Sequence, residues 1–314
     1  MKTLLNKPTF FQFCYGLIIS NLKINNKHKL LPPQRRIGKY KLIKAISKDY
    51  GSKNFALGVY ISRQRKVFIK TWFGVAKDLS YFSLLTEYFS GLILSKKLSK
   101  FKASESFYKI KVPTVFGYVQ SDDSLSVIFE YIEGKQLTSF PLIKQTEIFL
   151  IVLNSLQKVS YLFSNREKGN FLQITGRFYL LSLPLLTLLT LVSKVDKFKE
   201  IIKIFVETLK RVNHLKYKSL HLAHRDLEPH NIIVNRSNVY LIDCERMAFT
   251  IPNYDLNHLS LKPDFKLLSA ALFRKMKVKP NKFLKNYITI QFAGIPDHPN
   301  FKNYYLHNLQ AKYT

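Results

Sequence analysis

The chain has 314 residues, enough for one two-lobed domain or two domains, and its 46% hydrophobic content excludes wholesale disorder. Fifty Lys and Arg against twenty Asp and Glu give a net charge of +30, which suits an anionic partner or reflects a lysine-rich coding bias, and by itself assigns neither. Two cysteines, Cys14 and Cys244, exclude a disulfide framework, and no Cys or His spacing fits a structural zinc site, so a reducing, cytoplasmic compartment is expected.

Residues 1–34 read as an N-terminal extension. The start, MKTLLNKPTFFQFCYGLIIS, is basic with a short apolar run, yet it lacks a small-residue cleavage site and keeps Gln12 inside the run, so it is expected to be retained. After Pro32 to Arg36 the composition becomes strand-like. YKLIKAIS leads through the polar turn KDYGSKN into FALGVYISR, where Phe55, Leu57, Val59 and Ile61 alternate onto one face, and then through QRK into VFIKTW. Three strands joined by two short turns predict an antiparallel meander. DLSYFSLLTEYFSGLILSKKL follows with helical spacing and ends in lysines suited to a helix C-terminus, and KVPTVFGYV and LSVIFEYIEG predict two more strands.

Past Gly134 the pattern turns helical, most clearly in KFKEIIKIFVETLKRV, with Ile201, Ile204, Phe205 and Leu209 on one side. The most apolar run, Phe178 to Ser193, carries no charge but has only sixteen residues and is interrupted by Pro184. A spanning helix wants about twenty residues, so a buried helix pair is expected here, with contact at a membrane surface as the competing reading. VYLIDCE supplies a last short strand. The chain therefore divides into the extension 1–34, a β-rich part 35–134 and a helical part 135–314, the last holding an irregular polar loop between a helix and a strand.

That loop lies in LAHRDLEPHNIIV, Leu222 to Val234. His224, Arg225, Asp226 and Leu227, then three residues and Asn231, match the signature H-R-D-L-x-x-x-N, and the apolar strand that follows ends in a second acid, Asp243. Phosphoryl transfer needs a carboxylate to orient an attacking hydroxyl and accept its proton, a role that suits Asp226. It also needs Mg²⁺ on hard oxygen ligands, which Asn231 and Asp243 offer. His224, at the strand-to-loop junction, reads as a structural hydrogen-bonding residue, and His230 has no assigned role. A plain surface loop, with Asp226 and Glu228 balancing local cations, would need the spacing, the flanking strands and the second aspartate to coincide.

On these motifs the chain resembles the protein-kinase-like superfamily, and within it the aminoglycoside phosphotransferase and choline kinase group of small-molecule kinases, over most of its length after residue 35. The resemblance implies an α+β, two-lobed fold with a small antiparallel β-rich N-lobe, a larger helical C-lobe, and ATP and Mg²⁺ in the cleft between them. It implies catalytic roles for Asp226, His224 and Arg225 and metal ligation by Asn231 and Asp243. Lys70 in VFIK matches the strand-three lysine that holds the α- and β-phosphates, and Glu87 matches its helix partner. Gly51, Ser52 and Asn54 would cover the phosphates through backbone N–H groups; their turn departs from G-x-G-x-x-G and resembles the looser Gly-Ser-x-Asn turn of the phosphotransferase group. Glu130, Tyr131 and Ile132 match the lobe-linking segment whose backbone meets adenine.

Two features divide protein kinases from small-molecule kinases. Arg225 is typical of protein kinases regulated by phosphorylation, whereas the aminoglycoside-type loop more often has Gly there; Asp243-Cys244-Glu245 resembles the Asp-x-Glu of small-molecule phosphotransferases rather than Asp-Phe-Gly. After Glu245, RMAFTIPNYDLNHLS has no Ala-Pro-Glu and no room for a long activation segment, and its Asp255 either braces the loop or caps a helix. The resemblance thus favours ATP- and Mg²⁺-dependent transfer of the γ-phosphate to a hydroxyl of a small-molecule, sugar or lipid-linked acceptor. An atypical Ser/Thr protein kinase and a degenerate kinase-fold nucleotide-binding or scaffold protein are the alternatives. The parts that choose the acceptor, roughly 135–215 and 260–314, hold an apolar run and an aromatic, basic tail instead of the acidic surface that a polycationic aminoglycoside needs. Nucleic acid is not expected as a partner, because no known module is visible, while peripheral contact with the inner face of a membrane stays open.

Overall fold

The computed structural model describes residues 12, 15, 19, 31–46, 55–101, 107–193, 197–212 and 219–293. The expectations for Gly51, Ser52, Asn54, Cys14 and the C-terminal tail fall outside these residues. In chain order the strands are β1 (Arg36–Ile37), β2 (Tyr40–Ala45), β3 (Phe55–Ser62), β4 (Arg65–Phe73), β5 (Lys109–Lys111), β6 (Val115–Gln120), β7 (Ser124–Glu130), β8 (Lys135–Gln136), β9 (Leu172–Gln173), β10 (His221–Ala223), β11 (Ile232–Asn235), β12 (Asn238–Leu241) and β13 (Ala248–Thr250). The helices are α1 (Leu79–Lys100), α2 (Leu142–Ser160), α3 (Asn165–Lys168), α4 (Gly176–Ser193), α5 (Phe198–Lys210), α6 (Tyr254–Leu259), α7 (Lys266–Met276) and α8 (Lys282–Ala293). They fall into two compact units, Met1–Lys135 with Ile232–Met247, and Gln136–Asn231 with Ala248–Thr314.

The first unit is built on an antiparallel sheet of order β1-β2-β3-β4-β7-β6. The predicted meander is β2, β3 and β4, and the two strands expected after the helix are β6 and β7. Side chains alternate across a strand, so along β4 Phe68, Lys70 and Trp72 share one face while Val67, Ile69 and Thr71 share the other. The first face packs with Leu125, Val127 and Phe129 of β7 against Tyr81, Phe82, Leu84 and Leu85 of α1. Asp78 caps α1, accepting the N–H of Tyr81 at 3.0 Å and the indole N–H of Trp72 at 2.9 Å, which ties the helix start to β4. A Cβ on Gly91 would lie 2.6 Å from Val115 Cγ2, so the approach of α1 to β6 requires glycine there.

The expected alternation along β3 is present. Phe55, Leu57, Val59 and Ile61 do share the face of Lys70, since Leu57 pairs with Lys70 and Phe55 with Trp72. The opposite residues, Ala56, Gly58 and Tyr60, are nevertheless the better buried set, and Leu57 and Ile61 are only half-buried. The reason is a second layer on that side, where Tyr60 packs with Ile37, Val67, Ile69 and Ile128 and its hydroxyl donates to Gln34 O at 2.9 Å. Alternation reports the pleat; it does not report which face gains a cover. The unit is completed by the β11–β12 hairpin, with β12 parallel to β5.

In the second unit α4, α5, α6 and α8 surround a core of Tyr179, Leu183, Ile204, Ala223, Ala248, Tyr254, Leu284, Tyr287 and Ile288. β10 runs antiparallel to β13, and the N–H of Leu222 donates to the buried Ser160 hydroxyl at 2.7 Å, fixing β10 against the end of α2. Two helical expectations are corrected. Residues 178–193 belong to one continuous helix through Pro184, not a buried pair. Proline removes an N–H from the ladder, but hydroxyl bonds on either side hold the turns together: Tyr179 with Thr250 at 2.6 Å, Ser182 with Tyr287 at 2.8 Å, and Thr190 with Ile290 O at 3.0 Å. In α5, Ile201 and Ile204 are buried as expected and Phe205 packs on the core, but Thr208 takes the buried place next to the exposed Leu209. Thr208 can lie inside because its hydroxyl bonds Ile204 O at 2.6 Å.

Candidate functional site

Lys70 is a buried ammonium in the first unit, and three carboxylates surround it. Its Nζ lies 2.9 Å from Glu87 Oε2, 2.9 Å from Asp243 Oδ1 and 3.4 Å from Glu245 Oε2. Period-two alternation puts Lys70 on the helix-facing side of β4, and Glu87 lies one helical turn beyond Leu84 on the buried face of α1. Asp243 follows the β12 strand in a left-handed conformation, φ 59° and ψ 48°, which starts the 3₁₀ turn Cys244–Arg246 and swings Glu245 inward. Burial disfavours the Lys70 charge, but Asp243 and Glu87 outweigh it and hold the pKa above the ordinary lysine range. Glu87 and Glu245 are enclosed, whereas the Asp243 side chain is 33% exposed. Donor atoms of Glu87, Asp243 and Glu245 all lie within 4.8 Å of one another, a hard-oxygen set of the kind that divalent cations take. Cys244, between the two acids, is a buried free thiol whose pKa burial pushes well up.

The second unit holds the polar loop. His224 is fully buried and Arg225 is half-buried. Their backbone N–H groups donate to Asp255 Oδ2 at 2.9 Å and Oδ1 at 2.7 Å, so Asp255, on α6, braces the loop by its main chain. Burial raises the pKa of Asp255, partly opposed by His224 and by those two bonds. Arg225 has φ 66°, a left-handed conformation that favours glycine, and its guanidinium lies 5.4 Å from the ring centre of Tyr254. Asn231 Nδ2 donates to Asp226 O at 2.8 Å, joining the two ends of the motif and leaving the amide oxygen to accept or ligate. Glu228 is buried; it bonds Lys262 Nζ through Oε1 and faces His230 Nδ1 at 3.2 Å through Oε2. Donor atoms of Asp226, Glu228 and His258 lie within 4.8 Å of one another. Burial lowers the pKa of Lys262 despite the opposing fields of Asp226 and Asp264.

The structure thus brings Lys70, Glu87 and Asp243 together, and within the loop it joins Asp226 to Asn231. Glu130 ends β7, where its carboxylate accepts from Thr114 N at 3.0 Å and Oγ1 at 2.9 Å, and the half-buried Tyr131 and Ile132 follow outside the ladder. Glu245, Glu228 and Lys262 were not singled out as site residues from the sequence. Glu245 had a signal, its two-residue spacing from Asp243, but Lys262 in a chain with fifty Lys and Arg had none.

No family model matches the chain, and neither does any curated protein. Solved structures do match. Aminoglycoside phosphotransferase APH(4)-Ia superimposes with a TM-score of 0.61 at 9% identity, over 94% of this chain and 96% of its own. The streptomycin–ATP ternary complex of APH(2")-IIa gives 0.56 at 17% identity, over 94% and 95%. ADP-bound aminoglycoside phosphotransferase APH(2'')-Ib gives 0.55 at 18% identity, over 86% and 93%. The chain therefore has the protein-kinase-like fold of the aminoglycoside phosphotransferases, α+β with an antiparallel N-terminal sheet and a helical C-terminal part.

Proposed function

We propose that the chain is an ATP-dependent phosphotransferase that moves the γ-phosphate to a hydroxyl of a small-molecule, sugar or lipid-linked acceptor. The observation that carries this reading is Lys70, held at 2.9 Å by both Glu87 and Asp243. In kinases a strand lysine pinned by a helix glutamate is the arrangement that engages nucleotide phosphates. Several of the structural neighbours hold ATP, ADP or AMP-PNP, which supports a nucleotide for this fold.

In this reading Lys70 meets the phosphates, and the backbone of Glu130 to Ile132 receives adenine. Gly51, Ser52 and Asn54 cover the phosphates. Asp226 orients the acceptor hydroxyl and takes its proton. His224 and Arg225 act as positioning residues through the main-chain bonds to Asp255. Lys262, close enough to feel the Asp226 charge, adds a cation near the developing negative charge. Asp243 and Asn231 offer oxygens to Mg²⁺: the Asp243 carboxylate stays partly exposed while Glu87 and Glu245 are taken up by Lys70, and a carboxylate and an amide oxygen are hard donors that suit that ion. When bound, Mg²⁺ neutralises charge on the phosphate oxygens.

APH(4)-Ia was crystallised with hygromycin B and APH(2")-IIa with streptomycin. For this chain a net charge of +30 argues for a neutral or anionic acceptor instead. The test is thermal unfolding with ATP, with and without Mg²⁺, in the natural chain and in Asp243→Ala. A Mg²⁺-dependent rise in melting temperature that the variant loses is the expected result. No shift at millimolar nucleotide overturns the reading.

A further inference from the structure

The helix α4 has no charged residue after Arg177, and a helix apolar all round is normally enclosed. One side is enclosed, by the burial of Tyr179, Leu183, Thr187 and Thr190. The other is open: Leu181 is 81% exposed, Leu185 49%, Leu188 58% and Val192 73%, with Leu180 and Pro184 exposed beside them. Spaced four, three and four residues apart, Leu181, Leu185, Leu188 and Val192 fall on one stripe running three turns. Single exposed leucines need no explanation, but a continuous stripe does. The helix that packs beside it, α5, turns Ile201, Ile204 and Thr208 inward and leaves Lys199, Lys203 and Lys210 exposed on its far side, with Phe198 and Val206 exposed among them.

We propose that the outward faces of α4 and α5 form a docking surface for an anionic lipid bilayer, the leucine stripe entering the interface and the lysines meeting acidic headgroups. Leucines beside lysines whose stems can lie along apolar surface are the pattern of interfacial helices. Among the described residues no helix is long and apolar enough to cross a membrane, so the contact is lateral. Two features favour lipid over protein. The stripe is Leu, Val and Pro, without the Trp, Tyr or Arg anchors that dominate protein interfaces. A charge of +30 repels a second copy of this chain and is drawn to an acidic surface.

The test sediments the full chain with vesicles of phosphatidylcholine, alone or mixed with phosphatidylserine. Because so basic a chain can meet acidic vesicles through other patches, the deciding variant is Leu181→Asp with Leu188→Asp, at exposed positions where thermal melting should be unchanged. The natural chain is expected to bind phosphatidylserine vesicles, weakly in high salt, and the double variant to lose at least about ten-fold in partitioning. Lys199→Gln, Lys203→Gln and Lys210→Gln together should lose about a hundred-fold, at roughly five-fold per lysine. Absence of binding by the natural chain, or a double variant that binds as well as it does, overturns the proposal. So does a natural chain that dimerises in solution and becomes monomeric in the double variant, since a second copy would then cover the stripe.

Discussion

Lys70 and Lys262, one in each compact unit, both bond a buried glutamate; burial disfavours the charge of both, yet their pKa values end on opposite sides of the ordinary lysine value. At Lys70, Asp243 and Glu87, each at 2.9 Å, outweigh desolvation, and the ammonium is held more firmly than in water. At Lys262 desolvation prevails over Asp226 and Asp264, and the charge is held less firmly. The two differ in the balance: Asp243 and Glu87 outweigh desolvation at Lys70, whereas the fields of Asp226 and Asp264 do not outweigh it at Lys262. The Lys70 cluster is therefore an electrostatic anchor. The loop around Asp226 is shaped mainly by hydrogen bonds, from the main-chain N–H groups of His224 and Arg225 to Asp255 and from Asn231 to Asp226 O.

The largest effect expected from that contrast is on chemistry. Asp226→Ala should lower transfer, followed as ADP release, by about 10³-fold while the Mg²⁺-ATP melting shift persists. An equal loss of the melting shift would mean that the loop supports nucleotide binding and that the two clusters do not divide the work. Lys70→Met should abolish the Mg²⁺-ATP melting shift and transfer with it. It removes the lysine that Glu87, Asp243 and Glu245 share and should destabilise the fold by about 3 kcal/mol in urea unfolding, the low end for a broken buried pair because Asp243 is partly exposed and Arg246 still lies 3.6 Å from Glu245.

These residues differ in how visible they were. The loop motif is contiguous, so its spacing could be read directly. Lys70 and Glu87 were legible through the resemblance, which matches them to a strand lysine and its helix partner, helped by the apolar residues before Lys70 and by the lack of another acid in the middle of that helix. Glu228 and Lys262 were not, because their pairing depends on how the chain returns after α6, and a lysine among fifty basic residues carries no local mark. The same limit explains α4. Pro184 reads as a break, yet the helix runs through it, tied to its neighbours by hydroxyl bonds to Thr250, Tyr287 and Ile290 O. Hydropathy also could not say that half of that helix would stay uncovered.

A smaller effect tests the brace. Asp255→Ala removes the acceptor of two backbone N–H groups, one of them buried with His224, and should cost about 2 kcal/mol by urea unfolding. Transfer should fall with it if the brace shapes the loop. A stability loss with full turnover per folded molecule would show that Asp255 serves the core alone.

The smallest effect returns to the two lysines. The folded-state pKa of Lys262 lies below the ordinary 10.5, so between that lowered value and 10.5 the unfolded chain binds more protons, and stability gains a term that rises with pH. Lys70 is shifted the other way: its contribution is fully present below 10.5 and is lost only as pH climbs through its raised value. Comparing the natural chain with Lys262→Met by urea unfolding across the alkaline range isolates the first term from the other titrating lysines. The stability of the natural chain relative to the variant should rise with pH across that window and then level. A difference that shrinks as pH rises would mean that Glu228 holds Lys262 charged as Glu87 and Asp243 hold Lys70, and the contrast between the two clusters would collapse into a single design.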